Sequence, residues 1–261
     1  MRRNAALIAL RRRLEALESP SLTLSRMAGK GEVGAVVLPF GVPAIDAALP
    51  GGGLALGALH EIAGSGIDEE DGATAAAFVA GILARLLPPQ RVLWCLTAED
   101  LYGPGLAACG LSPERLILMQ GRNDKDVLWA MEEGLRSKAL AAVVGEVAAL
   151  SLSTSRRLQL AAENSGITAL ALRRWRNADM ARRQRRAPNA AVTRWRIKAL
   201  PSETADEPGV GKPRWHVELW RCRGGVPAEW MVEACDATGH VAVAAALADR
   251  PAARFRQARA G

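Results

Sequence analysis

The chain has 261 residues, of which 49% are apolar, so it can bury the core of one α/β domain with appendages or of two small domains. Its net charge of +7 is uneven, because residues 173–223 hold 14 basic residues against five acidic ones, a pattern that favours a polyanionic partner. Four cysteines without C-x-x-C spacing argue against a zinc site, and the sequence has no apolar run of the roughly 20 residues that a membrane span needs.

The first predicted element is an amphipathic helix over residues 5–18, which Ser19 and Pro20 end. Its apolar stripe consists of four leucines at three- and four-residue steps: Leu7, Leu10, Leu14 and Leu17. A helix this short is marginal alone, so the stripe needs a partner surface, either in the protein's own core or on another chain. The apolar run before Arg11 is too short for a secretory signal, so we expect a cytoplasmic protein.

A degenerate phosphate-binding loop is the most informative feature of the sequence. Residues 57–80 read GALHEIAGSGIDEEDGATAAAFVA, an apolar strand followed by a glycine-containing loop and an alanine-rich helix. A working loop has the pattern G-x-x-x-x-G-K-[ST], whose backbone N–H groups and lysine bind phosphates. Here Gly64 and Gly72 lie three residues too far apart, Ala73 replaces the lysine, and only Thr74 is retained. Four acids, at positions 68–71, fill the predicted loop and repel a polyphosphate.

The core of the sequence alternates predicted strands and helices, which is typical of a mostly parallel sheet covered on both faces. The predicted parallel strands are residues 59–63, 92–96, 116–119, 142–147 and 168–172. The predicted helices are residues 73–87, 101–109, 126–137 and 153–165. Three later segments alternate apolar and polar residues and predict an antiparallel extension at one edge of the sheet: residues 192–200, 215–222 and 230–234.

An arginine-rich block spans residues 173–196, with seven arginines and one acid between positions 173 and 186. Arginine binds backbone phosphates and stacks on bases, and Trp175 or Trp195 would supply a stacking platform. We expect the block to contact DNA through Arg173, Arg176, Arg182, Arg183, Arg185, Arg186 and Arg194. Two alternatives are a site for an acidic protein and a solvated loop without a specific role.

Several segments resemble bacterial RecA recombinases. Residues 41–64, GVPAIDAALPGGGLALGALHEIAG, resemble the segment that precedes the RecA phosphate loop. The tetrapeptide TAED stands where RecA proteins carry D-A-E-H, so the resemblance places Glu99 at the position of the catalytic glutamate. AVVGEVAAL resembles the second nucleotide motif, V-V-D-S-V-A-A-L, and Gly145 replaces its magnesium-orienting aspartate. On the next core strand Arg174 replaces the glutamine that senses the γ-phosphate.

The same resemblance implies contacts with a neighbouring protomer and with DNA. WRCRGGVP resembles the RecA stretch whose two lysines reach across a filament interface to the neighbour's ATP, and Arg221 and Arg223 occupy the two lysine positions. In RecA proteins an N-terminal helix packs on the adjacent protomer, so the leucine stripe is expected to do the same. Residues 173–186 match a mobile RecA loop that touches single-stranded DNA.

Over about residues 38–240 the chain is similar to the ImuA family, RecA- and SulA-related proteins of bacterial SOS-mutagenesis cassettes. Phrases such as VLWAMEEGLR, SRRLQLAAE and VELWRCRGG carry this similarity. The resemblance implies a RecA-like, mostly parallel β-sheet flanked by helices, with an antiparallel edge extension and an N-terminal amphipathic helix. We expect three regions: an N-terminal helix and linker over residues 1–37, a RecA-like core over 38–243, and a basic tail over 244–261.

The ImuA resemblance also implies a function. It predicts a non-catalytic accessory protein of damage-induced translesion synthesis, with RecA, the Y-family-related ImuB, an error-prone polymerase subunit and single-stranded or primer-template DNA as partners. Without the loop lysine and the second-motif aspartate, we expect no significant ATP hydrolysis and no bound cofactor or metal. Two alternatives are a true DNA-dependent ATPase or recombinase and a SulA-like cell-division inhibitor.

Overall fold

The computed structural model of this protein describes residues 2–17, 36–86, 90–137, 139–202 and 211–243. The predicted tail, residues 244–261, and most of the predicted linker lie outside these residues. The helices are α1 (Arg2–Leu17), α2 (Pro43–Asp46), α3 (Asp68–Ala84), α4 (Gly103–Ala108), α5 (Asp124–Arg136), α6 (Leu152–Ser165) and α7 (Ala178–Arg186). The strands are β1 (Val37–Leu38), β2 (Leu54–Ala55), β3 (Leu59–Gly64), β4 (Arg91–Leu96), β5 (Leu116–Gln120), β6 (Leu140–Val147), β7 (Thr168–Arg173), β8 (Thr193–Leu200), β9 (Arg214–Cys222), β10 (Ala228–Glu233) and β11 (Ala242–Val243).

A sheet of nine strands, within the described part of the chain, has the order β11-β10-β9-β8-β3-β7-β6-β4-β5. From β8 to β5 every neighbouring pair is parallel, whereas β9, β10 and β11 are added antiparallel beyond β8. Strands β3 and β7 are buried at every position, because helices cover both faces of the parallel part. The predicted α/β fold class with its antiparallel edge is confirmed. One detail differs, since β8 also pairs in parallel with β3.

Alternate residues of the central strands contribute to two hydrophobic clusters on opposite faces of the sheet. On one face α3 packs over an aromatic group in which Phe78 contacts Phe40, Trp195 and Trp215. On the other face α5 and α6 pack against each other and against the sheet. None of the helices in the described ranges combines the length and the apolar character that crossing a membrane requires.

Helix α1 packs on the chain's own core. The side chains of Leu10 and Leu14 are buried in the cluster that α5 and α6 cover. Arg11 donates a hydrogen bond from Nε to Oε2 of Glu133 on α5 at 2.8 Å, and this bond lowers the pKa of Glu133 below its usual value. The expectation that this helix packs on another protomer is therefore corrected for Leu10 and Leu14. Leu7 and Leu17 have side chains outside the described part of the chain.

Candidate functional site

The loop between β3 and α3 is much shorter than the sequence predicts. It contains only Ser65, Gly66 and Ile67, and α3 begins at Asp68, five residues before the predicted start. The four acids of residues 68–71 therefore form the first turn of α3, where the helix dipole favours negative charge, and do not fill a loop. Gly72, Ala73 and Thr74 follow in the same helix, with Ala73 exposed.

Two backbone donors of this short loop are occupied by the protein's own oxygen atoms. The N–H of Gly66 donates to Oδ2 of Asp71 at 2.8 Å, and the N–H of Ser65 donates to the carbonyl of Ile197 at 2.9 Å. Asp71 is buried, and its Oδ1 accepts a second bond from the N–H of Ala199 at 3.1 Å. A carboxylate of α3 thus takes the place that a bound phosphate has in a working loop. Gly64 allows this close approach of Asp71, because a Cβ on residue 64 would lie 2.7 Å from the Cβ of Asp71.

Arg174 lies among three carboxylates at the carboxyl ends of the parallel strands, where α/β proteins bind nucleotides. Its Nε is 2.5 Å from Oδ1 of Asp68, its Nη2 is 2.5 Å from Oδ2 of Asp100, and its Nη1 is 2.6 Å from Oε2 of Glu146. These carboxylates raise the pKa of Arg174 above its usual value, although burial acts to lower it. Within the described residues no group of histidine, cysteine or acidic side chains is arranged to hold a metal ion. The guanidinium of Arg174 places a positive charge among these three carboxylates.

Glu146 is the buried member of this cluster, and the sequence motifs did not identify it. Burial raises the pKa of its carboxyl group, while the charge of Arg174 and a hydrogen bond from Nε1 of Trp94 at 2.8 Å oppose the increase. Gly145 precedes it on β6, and successive strand residues point to opposite faces of a sheet. A side chain at Gly145 would collide with Met131 of α5, away from the cluster.

Glu99, at the position of the catalytic glutamate in the RecA resemblance, is exposed in the turn after β4. Its neighbour Asp100 is the residue that reaches Arg174. The structure therefore brings Arg174 together with Asp100 and Glu146 and leaves Glu99 outside the cluster. Among the predicted nucleotide-site residues, Arg174 is the one whose charged side chain belongs to this cluster.

Two arginines that the sequence assigned to DNA contact are buried around Glu61 of β3. Nη1 of Arg173 lies 3.3 Å from Oε2 of Glu61, and Nε of Arg194 donates to Oε1 at 2.8 Å. Nδ2 of Asn189 also donates to this carboxylate. Arg173 and Arg194 are consequently structural ion-pair residues, and their prediction as DNA contacts is wrong. Their partner lies more than 100 positions away in the sequence, so no local pattern identifies it.

Residues 178–186 of the arginine-rich block form helix α7, where the RecA resemblance implies a mobile loop. Asn177 caps the N-terminus of α7 by accepting a hydrogen bond from the N–H of Met180 at 2.8 Å. Five arginines line a cleft of about 780 Å³ between α7 and the Ser65–Ile67 loop, which we call the arginine cleft. These residues are Arg176, Arg182, Arg185, Arg186 and Arg196. Arg183 is exposed on the same helix, and Glu70 is the one acidic residue that lines the cleft within the described chain.

The tryptophans near the arginine cleft are buried or already in contact with arginines. Trp175 and Trp195 are 2% and 1% exposed, so the prediction that either provides a base-stacking platform is wrong. Trp220 lines the cleft, but the guanidinium carbons of Arg194 and Arg196 lie 4.4 and 4.0 Å from its ring centroid. The cleft therefore presents mainly guanidinium groups, two of which already contact its lining tryptophan.

Arg221 and Arg223 lie in a separate cleft of about 540 Å³, which we call the second cleft. Nη1 of Arg221 donates to the carbonyl of Asn189 at 3.1 Å, and Nη2 of Arg223 donates to the carbonyl of Ala190 at 3.2 Å. The structure thus brings together the two arginines that the RecA resemblance assigned to a protomer interface. Helix α6 provides the opposite wall with Leu152, Arg156, Gln159, Leu160 and Glu163.

Comparisons with known proteins identify relatives of this chain. No family model matches it. The RadB recombinase crystal structure is similar with a TM-score of 0.49 and 18% identity, covering 75% of this chain and 95% of that chain. Protein ImuA of Caulobacter vibrioides, in two strains, is 39% identical over 209 residues, which are 78% of this chain and 85% of that protein. On that identity and coverage, the chain is a member of the ImuA family.

Proposed function

We propose that this protein is a non-catalytic accessory factor of damage-induced mutagenesis, which acts by binding DNA and protein partners. One observation carries the proposal: the elements that hold ATP in a RecA-like pocket are engaged by the chain's own side chains. Asp71 accepts the N–H of the loop glycine Gly66, and Arg174 forms ion pairs with Asp68, Asp100 and Glu146.

A polyphosphate could bind here only if these hydrogen bonds and ion pairs were broken. Phosphoryl transfer needs cations at the β- and γ-phosphates and a group that holds magnesium. The chain has no lysine at the start of α3, and its first turn carries four carboxylates. A side chain at position 145 would require Met131 to move, and Gly145 itself provides no carboxylate for magnesium. The pocket is therefore suited to stabilising the fold and not to turnover.

The arginine cleft is the proposed DNA contact. Its five arginines outnumber the single lining acid among the described residues, and three of the five remain outside the ion pairs that Arg182 forms with Asp179 and Arg196 forms with Glu218, so the cleft attracts a phosphate backbone. Since Trp175 and Trp195 are buried and Trp220 already contacts Arg194 and Arg196, the cleft would contact backbone phosphates mainly through its arginines. We therefore expect an affinity that depends strongly on salt concentration and weakly on base sequence.

The protein partners follow from family membership. We propose that the chain engages RecA or its filament and ImuB, and that it helps to bring an error-prone polymerase subunit to damaged primer ends. Arg221 and Arg223 are the proposed contacts with a protein partner, because both are exposed at the end of β9 and lie outside the arginine cleft.

A mutagenesis assay tests the proposal. A strain that lacks the gene receives the wild-type protein, Glu99→Gln, or a fourfold substitution of exposed arginines, Arg176→Gln, Arg182→Gln, Arg183→Gln and Arg186→Gln. A matched control removes four exposed arginines elsewhere, Arg12, Arg13, Arg91 and Arg122. The quantities measured are the damage-induced mutation frequency and the affinity of each purified protein for a single-stranded oligonucleotide over a salt series.

We expect Glu99→Gln and the control to restore mutagenesis as the wild type does. The fourfold α7 variant should lose mutagenesis, weaken DNA binding by about tenfold or more, and flatten its salt dependence. Loss of mutagenesis in Glu99→Gln would contradict a non-catalytic role. Equal DNA affinity and salt dependence in the α7 variant and the wild type would contradict the assignment of the arginine cleft.

A further inference from the structure

The second cleft contains cations that no carboxylate of the described residues neutralises. Arg156, Arg221 and Arg223 line it, and among the described residues none of the three forms an ion pair, in contrast to Arg157, whose Nη2 lies 2.5 Å from Oε1 of Glu132. Glu163 is the one acid among the described lining residues, and it accepts a hydrogen bond from Nε2 of Gln159 at 2.7 Å. The cleft therefore has a net positive charge at its rim.

Two of these guanidinium groups are held in place by the backbone. Arg221 and Arg223 each donate one hydrogen bond to a carbonyl of the segment that connects α7 to β8. A guanidinium has five N–H donors, so most donors of each group stay available to a ligand. Anchored arginines lose less conformational entropy when they bind a carboxylate, and they present the fork geometry that carboxylates accept.

An exposed apolar side chain lies among the cations. Leu160 is 57% exposed and lines the second cleft one helical turn after Arg156 on α6. Leu152 and Pro188 extend the apolar part of the lining. A phosphate backbone gains nothing from this apolar surface, whereas a peptide that carries both carboxylates and a large apolar side chain is complementary to it.

We propose that the second cleft binds an acidic segment of a protein partner, with one large apolar side chain of that segment packed on Leu160 and its carboxylates paired with Arg156, Arg221 and Arg223. This inference deepens the proposed function and rests on its premise that the chain binds a protein partner. It uses no residue of the arginine cleft. ATP held by a neighbouring protomer and single-stranded DNA are the alternative occupants.

Selection of random peptides displayed on phage tests this assignment. The bait is the full-length wild-type protein, and counter-selection uses the triple variant Arg156→Gln, Arg221→Gln and Arg223→Gln. Selected peptides are then synthesised with a fluorescent label, and their affinities are measured by anisotropy for the wild type, the triple variant, Leu160→Ser, and the fourfold α7 variant as the matched control. Competition with unlabelled ATP and with an oligonucleotide completes the measurement.

We expect the selected peptides to be acidic and to share one large apolar residue. The triple variant and Leu160→Ser should each weaken binding by about tenfold or more, while the α7 variant and both competitors leave it unchanged. Failure to select any peptide, a consensus without acids, equal binding to the triple variant, or displacement by ATP or DNA would each overturn the inference. The oligonucleotide affinity of the triple variant, expected to equal the wild type, separates this result from failure of the DNA assignment.

Discussion

Nη1 of Arg174 lies 2.6 Å from Oε2 of Glu146, which joins the residue after β7 to a buried carboxylate on β6. The same guanidinium reaches Asp68 at the start of α3 and Asp100 after β4. One side chain therefore connects four neighbouring segments at the edge of the sheet where a nucleotide would bind. The ion pairs of Arg174 therefore stabilise the fold at the place where a nucleotide would bind.

Replacing Arg174 should destabilise the protein. Arg174→Ala leaves Glu146 buried without its counter-charge and leaves Asp68 and Asp100 close to it, so we expect a loss of about 3 kcal/mol in the free energy of unfolding. Urea unfolding followed by circular dichroism gives this value. Arg176→Ala, on an exposed side chain two residues away, is the control and should cost much less. Equal stability of Arg174→Ala and the wild type would contradict a structural role for the cluster.

The raised pKa of Glu146 predicts a specific pH dependence. Because folding raises this pKa, the stabilising contribution of Glu146 is full below its unfolded pKa and is lost as the pH rises through the folded pKa. Glu146→Gln lacks this titration. As the pH rises above the usual pKa of a glutamate, about 4.3, the difference in unfolding free energy should therefore shift in favour of the variant. The exposed Glu114→Gln serves as control, and an opposite or absent shift for Glu146→Gln would refute the assignment.

Restoring an aspartate at position 145 should not restore a nucleotide site. The new side chain would collide with Met131 and place an unpaired charge in the interior, so Gly145→Asp should cost at least about 3 kcal/mol. Gly103→Ala is a suitable control, because a Cβ there meets no atom within 4 Å. Thermal and urea unfolding measure both variants. A Gly145→Asp protein as stable as the wild type would show that α5 is not packed against this position.

The contact between α1 and the core gives a prediction that separates internal packing from contact with another chain. Leu14 is buried, so Leu14→Ala should lower the free energy of unfolding by about 3 kcal/mol and leave the molar mass from light scattering unchanged. Ile8→Ala on the same helix removes a side chain that is 49% exposed and should have little effect. A Leu14→Ala protein with normal stability and altered oligomeric state would instead indicate packing on another protomer.

The sequence predicts five of the six parallel strands in the described part of the chain, because each is a short, mainly apolar segment between turn residues, whereas β8 is parallel to β3 and not part of a purely antiparallel extension. The predicted strand over residues 168–172, for example, corresponds to β7, Thr168–Arg173. The sequence places the start of α3 five residues too late, because four consecutive acids are typical of a charged loop. Acidic residues are also favoured in the first turn of a helix, and that is where they lie here. The sequence does not predict helix α7, because its arginines leave no apolar stripe. The cap residue Asn177 is the signal that indicates its start.

The buried ion pairs could not be predicted from the sequence, because their partners lie far apart along the chain. An arginine in an arginine-rich block looks solvent-exposed until its partner is known, and Arg173 and Arg194 are paired with Glu61 from a distant strand. Glu146 follows Gly145 in the sequence, and the nucleotide motif assigns no role to its position. Only the tertiary register of β3, β6 and β7 brings these charges together.

Calorimetric titration of the purified protein with magnesium–ATP is the most direct test of whether the protein still binds a nucleotide. We predict no saturable heat up to about 1 mM ATP, and no phosphate release when single-stranded DNA is added. Saturable ATP binding accompanied by DNA-stimulated hydrolysis, with the hydrolysis abolished by Glu99→Gln, would contradict the proposed non-catalytic role and identify a working ATPase.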